Sequence, residues 1–221
     1  MHKCSFVARL LVLRHAQSVW NAQGLFQGWS DAPLSELGEA QAMRGGRALA
    51  AAGVKPGLMG CSDLSRARRT AELIAAETGY DKALLAGPGL REQDLGAWNG
   101  LSRAEIKQRW PSELADRERG RASDVPGGEP GRAFAERCIA ALERVATELL
   151  EGGEDVGIVV THGGVVIALE EALGARREGL GHPNLSGWWL HVKGTRGLVD
   201  MSVSERVELG AAGVENAVRS L

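Results

Sequence analysis

The chain has few cysteines and no spacing that would give them a structural task. Cys4, Cys61 and Cys138 are far apart and odd in number. They therefore fit neither a disulfide framework nor a Cys/His metal site. We interpret them as small buried thiols, and this favours a cytoplasmic location for the protein.

Long apolar runs and a strong charge of one sign are also missing. The N-terminal MHKCSFVARLLVL has no apolar stretch of signal-peptide length before a polar break. The most apolar later stretch, VGIVVTHGGVVIAL, contains His162 and is too short to cross a bilayer. The formal net charge is −2, which argues against a general nucleic-acid surface. We expect no membrane and no nucleic-acid partner, and any anion site must be local.

What the chain does contain is an alternation of strand-like and helix-like segments. Apolar runs such as LLVL and GIVV alternate with amphipathic stretches such as AFAERCIAALERV. This pattern predicts one α/β domain over residues 1–221, a three-layer α/β/α sandwich with a mainly parallel central sheet. A lid or insertion is expected at about 101–132, where Pro and Gly are dense. The tail after Ser204 is predicted to be irregular or a surface helix.

Two of the predicted strands end on a histidine. LLVLRH ends on His15 and GIVVTH ends on His162. If the strands are parallel, both histidines lie at the same edge of the sheet, where α/β folds place their sites. Each histidine alone is as well explained by packing at a strand end, but the repetition favours a site.

Arg14 indicates the kind of site. A permanent positive charge at the end of a buried strand is costly unless it meets an anion. It would also repel a metal cation from His15, so a zinc site is disfavoured. Arginine binds phosphate in a bidentate way, and a neutral imidazole can attack phosphorus. The pattern therefore favours phosphate chemistry.

Four stretches, in order, resemble the histidine phosphatase superfamily, which includes the cofactor-dependent phosphoglycerate mutases. They are LRHAQSVWNAQGLFQGWSDAPLSELGEAQA, SDLSRARRTAELI, LREQDLGAWNG and VVTHGG. A looser match, GGEP followed by Phe134 and Arg137, lies before the last. The resemblance spans most of the chain and implies a phosphoglycerate mutase-like fold.

The resemblance also implies a role for individual residues. His15 would accept the phosphoryl group and Glu92 would protonate the leaving group. Arg66 is chosen as the second pocket arginine because it precedes Ala67, whereas Arg68 and Arg69 are interpreted as solvated. No metal and no cofactor are expected. The implied catalytic residues are His15, Arg14, Arg66, Glu92 and His162, and the implied substrate-binding residues are Asn21, Gln27, Gly28, Arg103 and Gly163.

Three features favour a phosphatase over a mutase. The mutases carry a tyrosine and a lysine where this chain has Leu95 and Arg103, and usually a threonine in place of Gln27. The interval from Glu92 to His162 is also shorter than expected for mutases. We therefore predict a metal-independent phosphomonoesterase that acts through phosphohistidine on a small phosphorylated metabolite, such as a sugar phosphate or a phosphoglycerate derivative. The alternatives are a cofactor-dependent phosphoglycerate mutase and, more remotely, a non-catalytic phosphate-binding protein; a homodimer is expected by resemblance only.

One residue departs from the family pattern. The common triplet is Arg-His-Gly, and here the third residue is Ala16. If the turn needed a positive φ, alanine would be strained there. We expect the change to be tolerated.

Overall fold

A computed structural model of the protein describes residues 6–118, 124–175, 182–195 and 198–210. The helices and strands follow in the order β1 Phe6–Arg14, α1 Val19–Ala22, α2 Glu36–Ala51, β2 Leu58–Ser62, α3 Ser65–Thr78, β3 Leu85–Gly87, α4 Arg103–Arg109, α5 Pro111–Glu118, α6 Gly131–Glu151, β4 Val156–Thr161, α7 Gly163–Leu173, β5 Ser186–Thr195 and β6 Leu198–Glu208. Short 3-10 helices cover Pro88–Leu90 and Gly96–Trp98.

The strands form one six-stranded sheet in the order β3-β2-β4-β1-β5-β6. β3, β2, β4 and β1 pair with one another in parallel, and β5 is antiparallel to both β1 and β6. The prediction of an α/β fold with a mainly parallel central sheet is confirmed. This arrangement places the carboxyl ends of β1, β2 and β4 side by side at one edge.

The alternating side chains of β1 enter two different apolar clusters. Leu10 and Val12 pack with residues of α6 and α7. Leu11 and Leu13 pack with residues of α2 and α3 on the other face. All four are fully buried, and each contributes roughly 2 kcal/mol by leaving water. β1 is therefore held rigidly from both faces, and so is the point where it ends.

Two helix boundaries show ordinary capping signals. Ser35 accepts a hydrogen bond from the backbone N–H of Gly38 at 3.0 Å and caps α2. Gly79 ends α3 with a φ of 73°, in the left-handed region that glycine adopts without strain.

The segment 101–132 carries α4 and α5, which pack on a small third cluster. Its buried members are Leu95, Trp98, Ile106, Leu114 and Val125. Residues 119–123 of this segment lie outside the described part of the chain.

One detail differs from the sequence predictions. The chain remains a strand beyond Ser204, as far as Glu208, because β6 stays paired with β5 to its end. Residues 211–221 of the predicted tail lie outside the described part of the chain. In the ranges that the structure describes, no helix has the length and apolar character needed to span a membrane.

Candidate active site

The parallel pairing of β1 with β4 brings the two histidines together. Arg14 is in register with Thr161, and the backbone N–H of His15 donates to the carbonyl of Thr161 at 2.8 Å. His15 and His162 follow directly, and their ring centroids are 5.2 Å apart in an edge-to-face arrangement. Their juxtaposition follows from the strand register.

The surroundings of His15 suit a nucleophile. Its Nδ1 lies 2.6 Å from the carbonyl oxygen of Ala16, which can only accept, so Nδ1 carries the hydrogen and Nε2 keeps its lone pair. Burial lowers the pKa of His15 well below its usual value, and the positive charges of Arg66 and Arg14 lower it further. At neutral pH the imidazole is uncharged.

His162 lies behind His15 and does not itself line the cavity. It is fully buried, and its Nε2 is 2.8 Å from the hydroxyl of Ser62 at the end of β2. Burial, together with the charge of Arg66, lowers the pKa of His162 well below its usual value. Its Nδ1 is buried without a hydrogen-bond partner among the described residues. Sequence reasoning missed Ser62 as the group that orients this ring, although it opens the second matching stretch.

Two arginines supply the positive charge of the site. Arg66 is 1% exposed and donates from its two terminal nitrogens to the carbonyls of Ser30 and Gly28, each at 2.8 Å. Burial lowers the pKa of Arg66 to about 10, which leaves it charged at neutral pH. Arg14 donates to the carbonyl of His182. The Nε atoms of both arginines are buried without a partner in the described part of the chain.

Glu92 is fixed by backbone donors. Its two carboxylate oxygens accept from the N–H groups of Gly164 at 3.0 Å and Gln93 at 2.9 Å. Any side chain at position 164 would collide with this carboxylate, so the second glycine of the His-Gly-Gly stretch permits the contact. The indole of Trp29 donates to the carbonyl of Glu92 at 2.7 Å. The carboxylate is therefore held against the first turn of α7.

Arg137 braces the loop that carries Glu92. It donates to the Glu129 carboxylate at 2.7 Å and to the carbonyl of Gly89 at 2.9 Å. It thus connects the GGEP stretch with the chain leading to the acid, which explains why this looser match accompanies the other four.

These groups surround one cavity of about 330 Å³. The predicted residues that line it are Arg14, His15, Asn21, Gln27, Gly28, Arg66, Glu92 and Gly163. The side-chain oxygen of Asn21 accepts from the backbone N–H of Ser18 at 3.2 Å, and that of Gln27 accepts from the Ser18 hydroxyl at 2.8 Å. Ser18 therefore orients both amides.

Two predicted site residues do not line the cavity: His162, which lies behind His15, and Arg103, which lies away from the site. Arg103 is exposed on α4 and pairs with Glu118 at 2.6 Å. Arg117 of α5 lines the cavity instead and donates to the side chain of Gln93 at 2.7 Å. Nothing in the sequence distinguishes Arg117 from the other charged residues of this mixed-charge segment. His182 also lines the cavity, although no motif marks it.

Ala16 occupies ordinary backbone. It is not among the described residues with positive φ. Its methyl group is fully buried in the cluster that covers α2 and α3, and its N–H donates to Thr70 Oγ1 at 3.1 Å. Alanine therefore fits this turn without strain. Within the described ranges, no three or more His, Cys, Asp or Glu side chains are grouped so that they could hold a metal ion.

Comparison with known proteins identifies the family of this chain. The model of the histidine phosphatase superfamily (branch 1) matches residues 10–201. A 2,3-bisphosphoglycerate-dependent phosphoglycerate mutase of Methylocella silvestris is 40% identical over 166 residues, covering 73% of this chain and 79% of the mutase. The solved mycobacterial glucosyl-3-phosphoglycerate phosphatase with VO3 is 32% identical, with a TM-score of 0.71, over 89% of this chain and 97% of that one. The solved phosphoglycerate mutase of Bacillus anthracis is 24% identical, with a TM-score of 0.72 over 97% of this chain and 96% of that one, and it supports the fold alone.

The chain therefore belongs to the histidine phosphatase superfamily, as the resemblance implies. It is an enzyme of that family, with relatives named as mutases and structural neighbours that are phosphatases.

Proposed function

We propose that the protein hydrolyses phosphate monoesters of small metabolites through a phosphohistidine on His15, without a metal ion. The observation that carries this proposal is one cavity in which the neutral imidazole of His15 lies with two arginines, Arg14 and Arg66, and with Glu92. Positive charges withdrawn from water are costly unless they meet an anion. A phosphoryl group beside His15 would accept hydrogen bonds from the two arginines and neutralise their charge.

The proposed reaction has two balanced steps. Nε2 of His15 attacks phosphorus, the bond from phosphorus to the ester oxygen breaks, and Glu92 transfers its proton to the departing alkoxide. Water then attacks the phosphohistidine, and the Glu92 carboxylate takes up the proton that the water loses. Phosphate leaves, and His15 is again neutral with its lone pair on Nε2.

The substrate class is supported by the cavity and by one structural neighbour. A cavity of about 330 Å³ accommodates a small metabolite, and Arg117 adds a positive charge on the side of the insertion. The neighbour with VO3 is named as a phosphatase of glucosyl-3-phosphoglycerate, a phosphorylated sugar acid. We propose a phosphorylated sugar acid or sugar phosphate as the substrate.

A phosphoglycerate mutase remains the second candidate, because the Methylocella silvestris relative bears that name. Mutase activity requires stimulation by a bisphosphorylated primer and return of the phosphoryl group to the product. Release of inorganic phosphate from phosphoglycerate without isomerised product would exclude it.

Turnover of 4-nitrophenyl phosphate in excess chelator tests the main proposal. The wild-type protein should be active, and His15→Ala should lose at least about 1,000-fold in kcat because the phosphoryl acceptor is gone. Acid-labile phosphate trapped on His15 by rapid quenching should be visible by mass spectrometry in the wild type only. Full activity in a folded His15→Ala variant, checked by thermal melting, would refute the proposal.

A further inference from the structure

Beside the cavity lies a buried carboxylate–imidazole pair that the proposed reaction does not use. The side chains of Glu170 and His182 are each 3% exposed, and Nε2 of His182 is 3.1 Å from Oε1 of Glu170. The indole of Trp188 donates to the same carboxylate oxygen at 2.8 Å. Burial lowers the pKa of His182, although the hydrogen bond to Glu170 opposes this shift. A neutral His182 therefore donates its Nε2 hydrogen to the carboxylate.

A carboxylate at this position is costly for stability. Glu170 is on α7, where Val166 and Leu169 are fully buried in the apolar cluster around α6. Replacing a buried polar pair with apolar side chains of similar volume is often neutral or stabilising, whereas the pair fixes orientation. The position of Glu170 thus points to an orienting role.

The group that this pair orients belongs to the phosphate site. The main-chain carbonyl of His182 accepts a hydrogen bond from the guanidinium of Arg14. Two residues further on, the Asn184 side chain donates to the carbonyl of His15 at 3.0 Å. Residues 182–184 therefore hold both Arg14 and His15, and the side chain of His182 is itself held by Glu170.

α7 makes this connection rigid. Its first residue, Gly163, lines the cavity, and Glu170 lies seven residues later, about 10 Å along the same helix. A fixed carboxylate on α7 thus sets the position of His182 relative to the end of the helix that borders the phosphate site.

We propose that Glu170 is a positioning residue that directs the Arg14 guanidinium at the phosphoryl group by holding His182. This inference rests on the proposed phosphate site. It assigns a role in phosphate binding to a side chain that is in none of the matching motifs and does not line the cavity.

A double-mutant cycle on the full chain tests the proposal, with affinity for inorganic phosphate measured by titration calorimetry. Glu170→Gln should weaken phosphate binding about tenfold in the wild-type background and less than about twofold in Arg14→Ala, because the effect passes through Arg14. Glu171→Gln removes the same charge from the exposed neighbouring position of α7 and should leave the affinity unchanged.

A second pair of variants covers the case in which Glu170→Gln does not fold. His182→Gln keeps a side-chain donor for Glu170 and should retain phosphate affinity within about threefold, whereas His182→Ala should lose as much as Glu170→Gln. Equal losses in both Arg14 backgrounds, or unchanged affinity in folded His182→Ala, overturn the positioning role. A wild-type protein that binds no phosphate would instead refute the proposed function.

Discussion

The cavity has a sheet side and an insertion side, and the two are held in different ways. The sheet side consists of Arg14, His15, Arg66 and Gly163, at the ends of strands and the starts of helices. The insertion side lies towards the segment 101–132. It includes Arg117, which is on α5, and Leu95, which packs in the small cluster beside α4 and α5. Groups that contact phosphate must keep a fixed geometry, whereas groups that contact the rest of a substrate can vary. We therefore assign the reaction at phosphorus to the sheet side and the selection of the substrate to the insertion side.

The contacts of the two sides show this division. Arg66 is 1% exposed and each terminal nitrogen donates to a backbone carbonyl, so its position is set by the fold. Arg117 is half-buried and donates to the side chain of Gln93. Side-chain partners are easier to rearrange than backbone ones, and α5 packs on a cluster of few residues, none of them on a strand. We therefore expect variants on the sheet side to lower kcat/KM for every substrate, and variants on the insertion side to lower it for only some substrates.

The largest effect should come from Glu92, which lies where the two sides meet. Glu92→Gln keeps the shape of the side chain but cannot give a proton to the leaving group. Hydrolysis of an alkyl phosphate should fall by about 100-fold to 10,000-fold, the usual contribution of a general acid. With 4-nitrophenyl phosphate, whose leaving group needs little protonation, the loss should be much smaller. The measurement is kcat for both esters, and equal losses would show that Glu92 is not the proton donor.

A substitution on the sheet side should affect all substrates alike. Arg66→Lys keeps a positive charge but loses the planar group that donates to the carbonyls of Ser30 and Gly28. We expect kcat/KM to fall about 100-fold for every ester, as when one preorganised donor to a transition state is lost. Arg69→Lys, an exposed arginine on the same helix, is the matched control and should change nothing. A fall in kcat/KM for one ester alone would show that the sheet side also selects the substrate.

A substitution on the insertion side should distinguish substrates. Arg117→Met should raise KM about tenfold for a phosphorylated sugar acid, about 1.4 kcal/mol of binding, and leave 4-nitrophenyl phosphate nearly unchanged. Arg103→Met is the control, because Arg103 is exposed, pairs with Glu118 and does not line the cavity. If Arg103→Met raised KM more than Arg117→Met, Arg103 would be the substrate-binding arginine, as the sequence predicts, and Arg117 would not.

The sequence predicted the sheet side better than the insertion side, for a physical reason. Strand ends are local features of the sequence, so His15 and His162 are identifiable as neighbours of one site. Arg66 and the glycine after His162 are implied by the resemblance to the family, whose motifs are local as well. Arg117 is not marked in this way, because the segment 101–132 mixes acidic and basic residues and only its packing decides which charge faces the cavity. Interactions between distant elements, such as that of Ser62 with His162, leave no local pattern either.

The smallest effect is expected at Ala16, where the chain departs from the usual glycine. Its φ is not positive, so glycine is not required by the backbone, and its methyl group is packed in the core. Ala16→Gly should therefore destabilise the protein by about 1 kcal/mol through lost burial and greater freedom of the unfolded chain. Activity should change less than about twofold, since the carbonyl that holds Nδ1 of His15 remains. Chemical denaturation and kcat/KM measure the two quantities, and a more active, equally stable variant would mean that the methyl group crowds the phosphate site.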